Sequence, residues 1–212
     1  MSKGSNTKAS IINLALDFAS RRGLESLSFG ELAQEMKMSK SGLFAHFKSR
    51  ENLQIMVFQR ASDIFTEKVV KSAVRAPRGV PRIRAICENW IRWDTSGFPG
   101  GCPIITATIE FDDRPGRLRE HVFKVQGEWI SGLSFAAELA IAEGHFREDC
   151  DTKQFAYELY SFMLGFHLYK RMLNDPGAMS KSVAAFDDLL YRNYSEEYKR
   201  QLKVTENREI YS

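Results

Sequence analysis

The chain has 212 residues, 43% hydrophobic and 27% charged; this balance excludes global disorder and allows one large domain or two small ones. Lys and Arg number 30 against 27 Asp and Glu, a net charge of +3 that by itself names no nucleic-acid or membrane partner. The distribution is more telling: residues 1–84 hold 15 basic and 7 acidic side chains, whereas residues 85–212 hold 15 and 20. The front is basic and the back acidic.

No run reaches the roughly 18 apolar residues of a membrane helix, and the opening MSKGSNTKAS lacks an apolar signal centre. A cytoplasmic location without membrane association is expected. Cys87, Cys102 and Cys150 are widely spaced with no CxxC pair, which argues for reduced thiols rather than a disulfide framework or zinc knuckle. GxGxxG, a P-loop, HExxH and GxSxG are all absent, and His121, His145 and His167 lack ligand spacing. No catalytic residue, cofactor or metal is expected.

Apolar residues repeat at helical spacing almost throughout, which predicts an all-α protein of about nine helices. The first runs from about Lys8 to Arg22 on a stripe of Ile11, Ala15, Phe18 and Ala19, with Gly23 as its stop. Ser28 and Glu31 form a capping box for a short second helix through Met36. Ser39 caps a short third helix whose apolar side carries Leu43, Phe44 and Phe47. Ser49 opens a long connector helix, about 50–74, which ends at the Pro- and Gly-bearing run 75–81. Later helices are predicted at about 80–95, 102–112, 115–143, 152–174 and 180–202, with a polar, frayed tail from Lys203. The expected division is a helix-turn-helix domain over 1–52, then the connector, then a helical ligand-binding and dimerisation domain over 75–212.

The second and third helices, separated by Lys37 and Met38, make a helix-turn-helix inside the basic segment. A helix can enter the major groove, about 12 Å wide, when one side holds a core and the other carries small polar and cationic groups. Lys40, Ser41, His46 and Lys48 would supply that outer side. Ser28 and Ser39 would meet phosphates at helix N-termini, with Arg50 as a further phosphate contact. Gly42 and Phe44 complete the candidate DNA-binding set.

The run from Leu32 to Leu53, LAQEMKMSKSGLFAHFKSRENL, resembles the DNA-binding domain of TetR-type transcriptional regulators, the likeness extending over about 8–55. The shared pattern is Ser-Lys after the turn, then Leu-Phe, His-Phe-Lys and an acidic-containing helix start. The resemblance implies a homodimeric one-component repressor that leaves a palindromic operator when a small molecule binds its C-terminal domain. Lys37 stands where the family usually has Gly, which implies left-handed strain or an altered turn. Gly42 and Gly30 replace larger residues of relatives.

In the back half, Phe155, Leu159, Phe162, Phe166, Phe186, Leu189 and Leu190 give the last two helices apolar faces for a dimer. Trp90, Trp93, Phe98, Phe111, Phe123, Trp129, Phe162 and Phe166 could line a cavity for an apolar or aromatic effector. Cys102 joins them at a helix N-terminus, where the helix dipole would favour a reactive thiolate. The competing reading is a helical small-molecule-binding protein or enzyme whose basic front merely packs.

Overall fold

The computed structural model describes residues 3–210, with side chains over 7–203. Its elements are α1 (Lys3–Arg22), a 3-10 turn (Leu24–Ser26), α2 (Phe29–Glu35), α3 (Lys40–Phe47) and α4 (Arg50–Phe65). A π-helical segment (Thr66–Lys71) and α5 (Ser72–Val74) extend the connector, followed by α6 (Val80–Ser96), α7 (Pro103–Phe111) and α8 (Arg117–Ala142). Then come α9 (Thr152–His167), a second π-helical segment (Leu168–Met172), α10 (Ala178–Asn193) and α11 (Glu196–Ile210). Among the described residues there is no strand, only an isolated bridge between Phe146 and Tyr194. The fold is all-α, as the periodicity requires.

Side chains start the front helices as their sequence signals indicate. The hydroxyls of Ser28, Ser39 and Ser49 accept from the backbone N–H groups of Glu31, Gly42 and Asn52 at 3.3, 3.0 and 3.1 Å. An N-cap of this kind is worth about 1 kcal/mol. At the other end of α1, Gly23 adopts φ 84°, a left-handed conformation that glycine takes without a Cβ clash.

Four predicted segments differ from those observed. The connector and the helix expected at 152–174 each contain a π-helical segment, which apolar periodicity cannot signal. The single helix expected at 180–202 is two helices. Backbone N–H groups of Arg147 and Ser195 donate to the carbonyls of Asn193 and His145 at 2.9 and 3.0 Å, which holds Tyr194 extended. Ser195 then caps α11 by accepting from the N–H of Tyr198 at 3.0 Å. The segment expected to fray from Lys203 is helical to Ile210.

The chain packs as two compact units, one of residues 1–69 and 92–126, the other of residues 70–91 and 127–212. In the first, Ile11, Ala15, Leu32, Leu43, Phe47, Leu53, Val57 and Phe58 form a buried core beneath α2 and α3. Packing departs from chain order here, because α7 and the start of α8 belong with the helix-turn-helix. In the second, α9 and α10 bury Phe155, Leu159, Met163, Phe166, Phe186, Leu189 and Leu190, and Phe146 meets the Phe155 ring at 5.1 Å. Among the described residues no helix is long and apolar enough to cross a membrane. No group of three His, Cys, Asp or Glu there is placed to hold a metal ion.

Candidate functional site

Helix α3 is anchored by Leu43 and Phe47, which are 0% and 2% exposed. Away from that anchor, Ser39, Lys40, Ser41 and Phe44 are exposed and Gly42 and His46 partly so, with Lys48 exposed at the end of the helix. This is the two-faced rod that the spacing predicts, with one correction. Phe44 does not join the core anchor: it is 53% exposed and meets the Phe29 ring edge to face at 6.1 Å. Residue 44 lies one helical step from residue 43 and so turns about 100° away from the core.

The serines do two jobs. The Ser39 hydroxyl caps α3 and lies 3.0 Å from that of Ser41, so one of the pair keeps an O–H free to donate outward. Ser28 caps α2, and its hydroxyl faces the Glu31 carboxylate at 3.4 Å, which Arg22 also meets at 3.2 Å. A Cβ at Gly42 would press the Ser39 hydroxyl at 3.2 Å, so glycine makes room for the cap. Between the helices, Lys37 has φ 51°, and Lys48 has φ 65° after α3. The strain implied at the glycine-like position is therefore present, and both strained residues are exposed lysines beside the candidate DNA face.

Arg50 is a second correction. Its Nε donates to the Leu27 carbonyl at 2.8 Å, and its Nη2 reaches the Glu25 carbonyl and, at 3.3 Å, the Glu25 carboxylate. The guanidinium is tied to the turn before α2, while its side chain stays 47% exposed.

That turn is gripped from two sides, a feature the sequence reading missed. From α4, Gln54 donates to the Leu24 carbonyl at 2.9 Å. From α7, Glu110 Oε2 accepts the Leu24 N–H at 2.8 Å, and from the loop after it Arg114 meets Glu25 at 3.4 Å. Burial pushes the Glu110 carboxyl above its ordinary range, against the N–H groups of Leu24 and Glu25 that favour its charged form. Gly23 holds φ 84°, which side chains rarely adopt, and a Cβ on it would fall 1.6 Å from Glu110 Oε1 and displace that carboxylate. Gly100, in the loop before α7, approaches α1 so closely that a Cβ would fall 1.5 Å from the Ser20 carbonyl oxygen. The two glycines were legible only as breakers; their close contacts are tertiary.

In the second unit, α6, α9 and α10 enclose a cavity of about 150 Å³. Trp90, Leu159, Phe162, Met163 and Phe166 form much of its wall, with Cys87, Val183 and Phe186; Arg84, Glu88, Ser182 and Asp187 are its polar lining. Trp90, Phe162 and Phe166 therefore line a space as the sequence reading supposed. Trp93, Cys102, Phe111, Phe123 and Trp129 are not among its walls. Trp93, Cys102 and Phe111 are buried in the first unit, whereas Phe123 is 72% exposed. Cys102 is no thiolate: burial pushes its thiol up to about 11, although the Trp93 indole donates to Sγ at 3.1 Å and the first turn of α7 adds N–H groups. Desolvation outweighs the dipole.

Two family models match the chain. One, described as bacterial regulatory proteins, tetR family, covers residues 11–55; the other, tetracyclin repressor-like, C-terminal domain, covers residues 79–186, about half of the chain. The chain belongs to the TetR family. It is thus a ligand-responsive, DNA-binding transcriptional regulator. A TetR regulator from Chloroflexus aurantiacus J-10-FL superposes with TM-score 0.80 at 24% identity, over 90% of this chain and 96% of that one. A TetR-family regulator from Cytophaga hutchinsonii gives 0.81 at 20% identity, over 92% and 98%. AibR, solved in complex with isovaleryl coenzyme A and operator DNA, gives 0.62 at 24% identity, over 76% and 84%. No curated protein sequence matches the chain.

In this TetR-family chain the residues first read as a dimer face need correcting. Phe155, Leu159, Phe166, Leu189 and Leu190 are at most 2% exposed and Phe186 is 7% exposed, all within a single protomer. Phe162 is half-buried at the cavity. These positions are the inner faces of α9 and α10. The outward stripe is Tyr157, Leu164 and Leu168, all exposed, offset by about half a helical turn from the buried set. Met179 and Val183 are exposed on α10. The legible signal was that α9 is apolar on two faces.

Proposed function

We propose that this regulator is a non-enzymatic repressor that binds a palindromic operator as a homodimer and releases it when a small apolar or aromatic effector enters the cavity between α6, α9 and α10. The observation that carries this reading is the outer face of α3. Small hydroxyls, a bare glycine and cations stand there on a helix whose opposite side is locked into a core, the division that groove insertion requires. Lys40 and Lys48 serve as phosphate or base contacts, joined by Lys37; Ser39 and Ser41 donate to phosphate, and His46 and Phe44 face the groove. The AibR complex supports the pairing of the two ligand classes on one such fold, since its structure holds both an acyl coenzyme A and operator DNA.

Two copies pair in this reading through Tyr157 and Leu164 of α9 and Leu168 of the π-helical segment that continues it, because exposed apolar side chains along one side of a helix are stabilised by a partner. The test joins both parts. DNA from upstream of the protein's own coding region is retarded in a gel under heparin competition, and Lys40→Ala or Lys48→Ala flattens the salt dependence by about 0.9 per lost phosphate contact. Leu164→Arg yields folded monomer by sedimentation, with retardation lost. Equal retardation by wild type and both lysine variants at every salt concentration overturns the contact assignment.

A further inference from the structure

The cavity's depth and mouth differ in chemistry, and the difference selects a ligand class. This step rests on the cavity being the effector site. At depth the walls are apolar and aromatic: Trp90 and Phe166 meet edge to face at 6.2 Å, beside Leu159 and Met163. The whole cavity, polar lining included, is about 150 Å³, a size that admits about one benzene ring. The ring-sized part of a ligand therefore goes inward.

The polar lining carries two carboxylates, Glu88 and Asp187, against one guanidinium, Arg84. Arg84 is already occupied: it meets Asp187 at 2.8 Å and the Tyr194 hydroxyl at 3.4 Å, and its guanidinium lies over the Phe186 ring at 5.7 Å. Glu88 is exposed on α6, and no ion pair joins it to a basic side chain among the described residues. An anionic ligand would have to displace Asp187 from Arg84 while facing Glu88. A neutral one would leave Glu88 to water. A cation gains Glu88 directly, and rings close by offer the electron-rich faces on which cations settle, as Arg84 does on Phe186.

We infer that the effector is a small organic monocation, a ring-sized apolar body carrying an ammonium group, bound with the body against Trp90 and Phe166 and the charge at Glu88. Three probes of one shape and different charge test this by titration calorimetry on the full-length protein at neutral pH: 2-phenylethylammonium, 2-phenylethanol and phenylacetate. The ammonium is expected to bind at least tenfold more tightly than the alcohol, with phenylacetate weakest. Glu88→Gln, a change at an exposed position, removes the preference for ammonium and leaves the alcohol unchanged. Val183→Trp, checked for native circular dichroism, fills the cavity and blocks all three.

The outcomes separate the two claims. If the alcohol or phenylacetate matches the ammonium, or Glu88→Gln leaves the preference intact, the cation assignment falls while the cavity stands, provided Val183→Trp still blocks binding. If Val183→Trp folds and the probes bind it as they bind wild type, the cavity itself is not the site and both claims fall. Absence of saturable binding by all three probes likewise overturns both.

Discussion

Two tryptophans three residues apart on α6 sit in opposite kinds of interior. Trp93, in the first unit, meets Phe65 at 5.5 Å and Phe98 at 5.2 Å, donates its indole N–H to Cys102 and is sealed. Trp90, in the second, meets Phe166 at 6.2 Å and borders a cavity. The same residue type on the same helix is close-packed in one place and borders open space in the other. What separates them is whether neighbours fill the space, which depends on other elements and not on α6 itself.

The contrast breaks most severely at Trp93. Trp93→Ala is expected to destabilise the first unit by about 3–5 kcal/mol, read by urea denaturation, because a closed aromatic cluster cannot collapse around the lost ring. A loss below about 1 kcal/mol would mean that this cluster is as loose as the cavity. The cysteines sharpen the same comparison. Cys102→Leu overpacks a filled site and should cost about 1–3 kcal/mol, whereas Cys87→Leu has empty space beside it and should stay within about 1 kcal/mol of wild type. Neither thiol should react with iodoacetamide at neutral pH in the native protein, since burial pushes Cys102 up to about 11 and Cys87 up to about 12.

Smaller effects test how tightly the first unit is set. Lys37→Gly relieves a left-handed lysine at φ 51° and is expected to stabilise by about 0.5–1 kcal/mol, measured as a raised denaturation midpoint. Its DNA affinity should nonetheless drop through loss of the exposed charge. Glu110 gives the smallest signal. Its folded carboxyl titrates above the ordinary value because of burial, so folding takes up a proton between the unfolded and folded pKa values. Stability is greatest below the unfolded pKa and is partly lost as pH rises through the folded one. Glu110→Gln should flatten that segment of the pH profile; an unchanged slope would show that Glu110 does not feel the Gly23–Leu24 turn as a buried group.

Much of the candidate site was legible because its signals are local. A serine four residues before the first buried apolar side chain caps a helix wherever that helix packs, and Ser28, Ser39 and Ser49 stand so before Leu32, Leu43 and Leu53. The outward position of Ser41 follows from the inward position of Leu43 and Phe47, whereas Lys40, three residues before Leu43 and seven before Phe47, shares their side and is exposed as the first residue of α3. The errors lie where the decision is made elsewhere in the chain. Arg50 carries the charge of a phosphate contact, but the carbonyls of Glu25 and Leu27 capture it. Phe155 and Leu159 have the look of a dimer face, but α10 and Phe146 cover that side and leave Tyr157, Leu164 and Leu168 outside.

The amino-acid sequence by itself determined the helical class, the two-faced rod at residues 39–48 and the basic front against an acidic back, because periodicity, capping and charge act over a few residues. Only the tertiary structure decided which aromatics enclose space, that the Leu27 and Glu25 carbonyls hold Arg50, and that Gly23 and Gly100 lie against a carboxylate and a carbonyl where a Cβ would clash. Those outcomes depend on volumes and hydrogen-bond partners brought together from distant parts of the chain, and no local pattern encodes them.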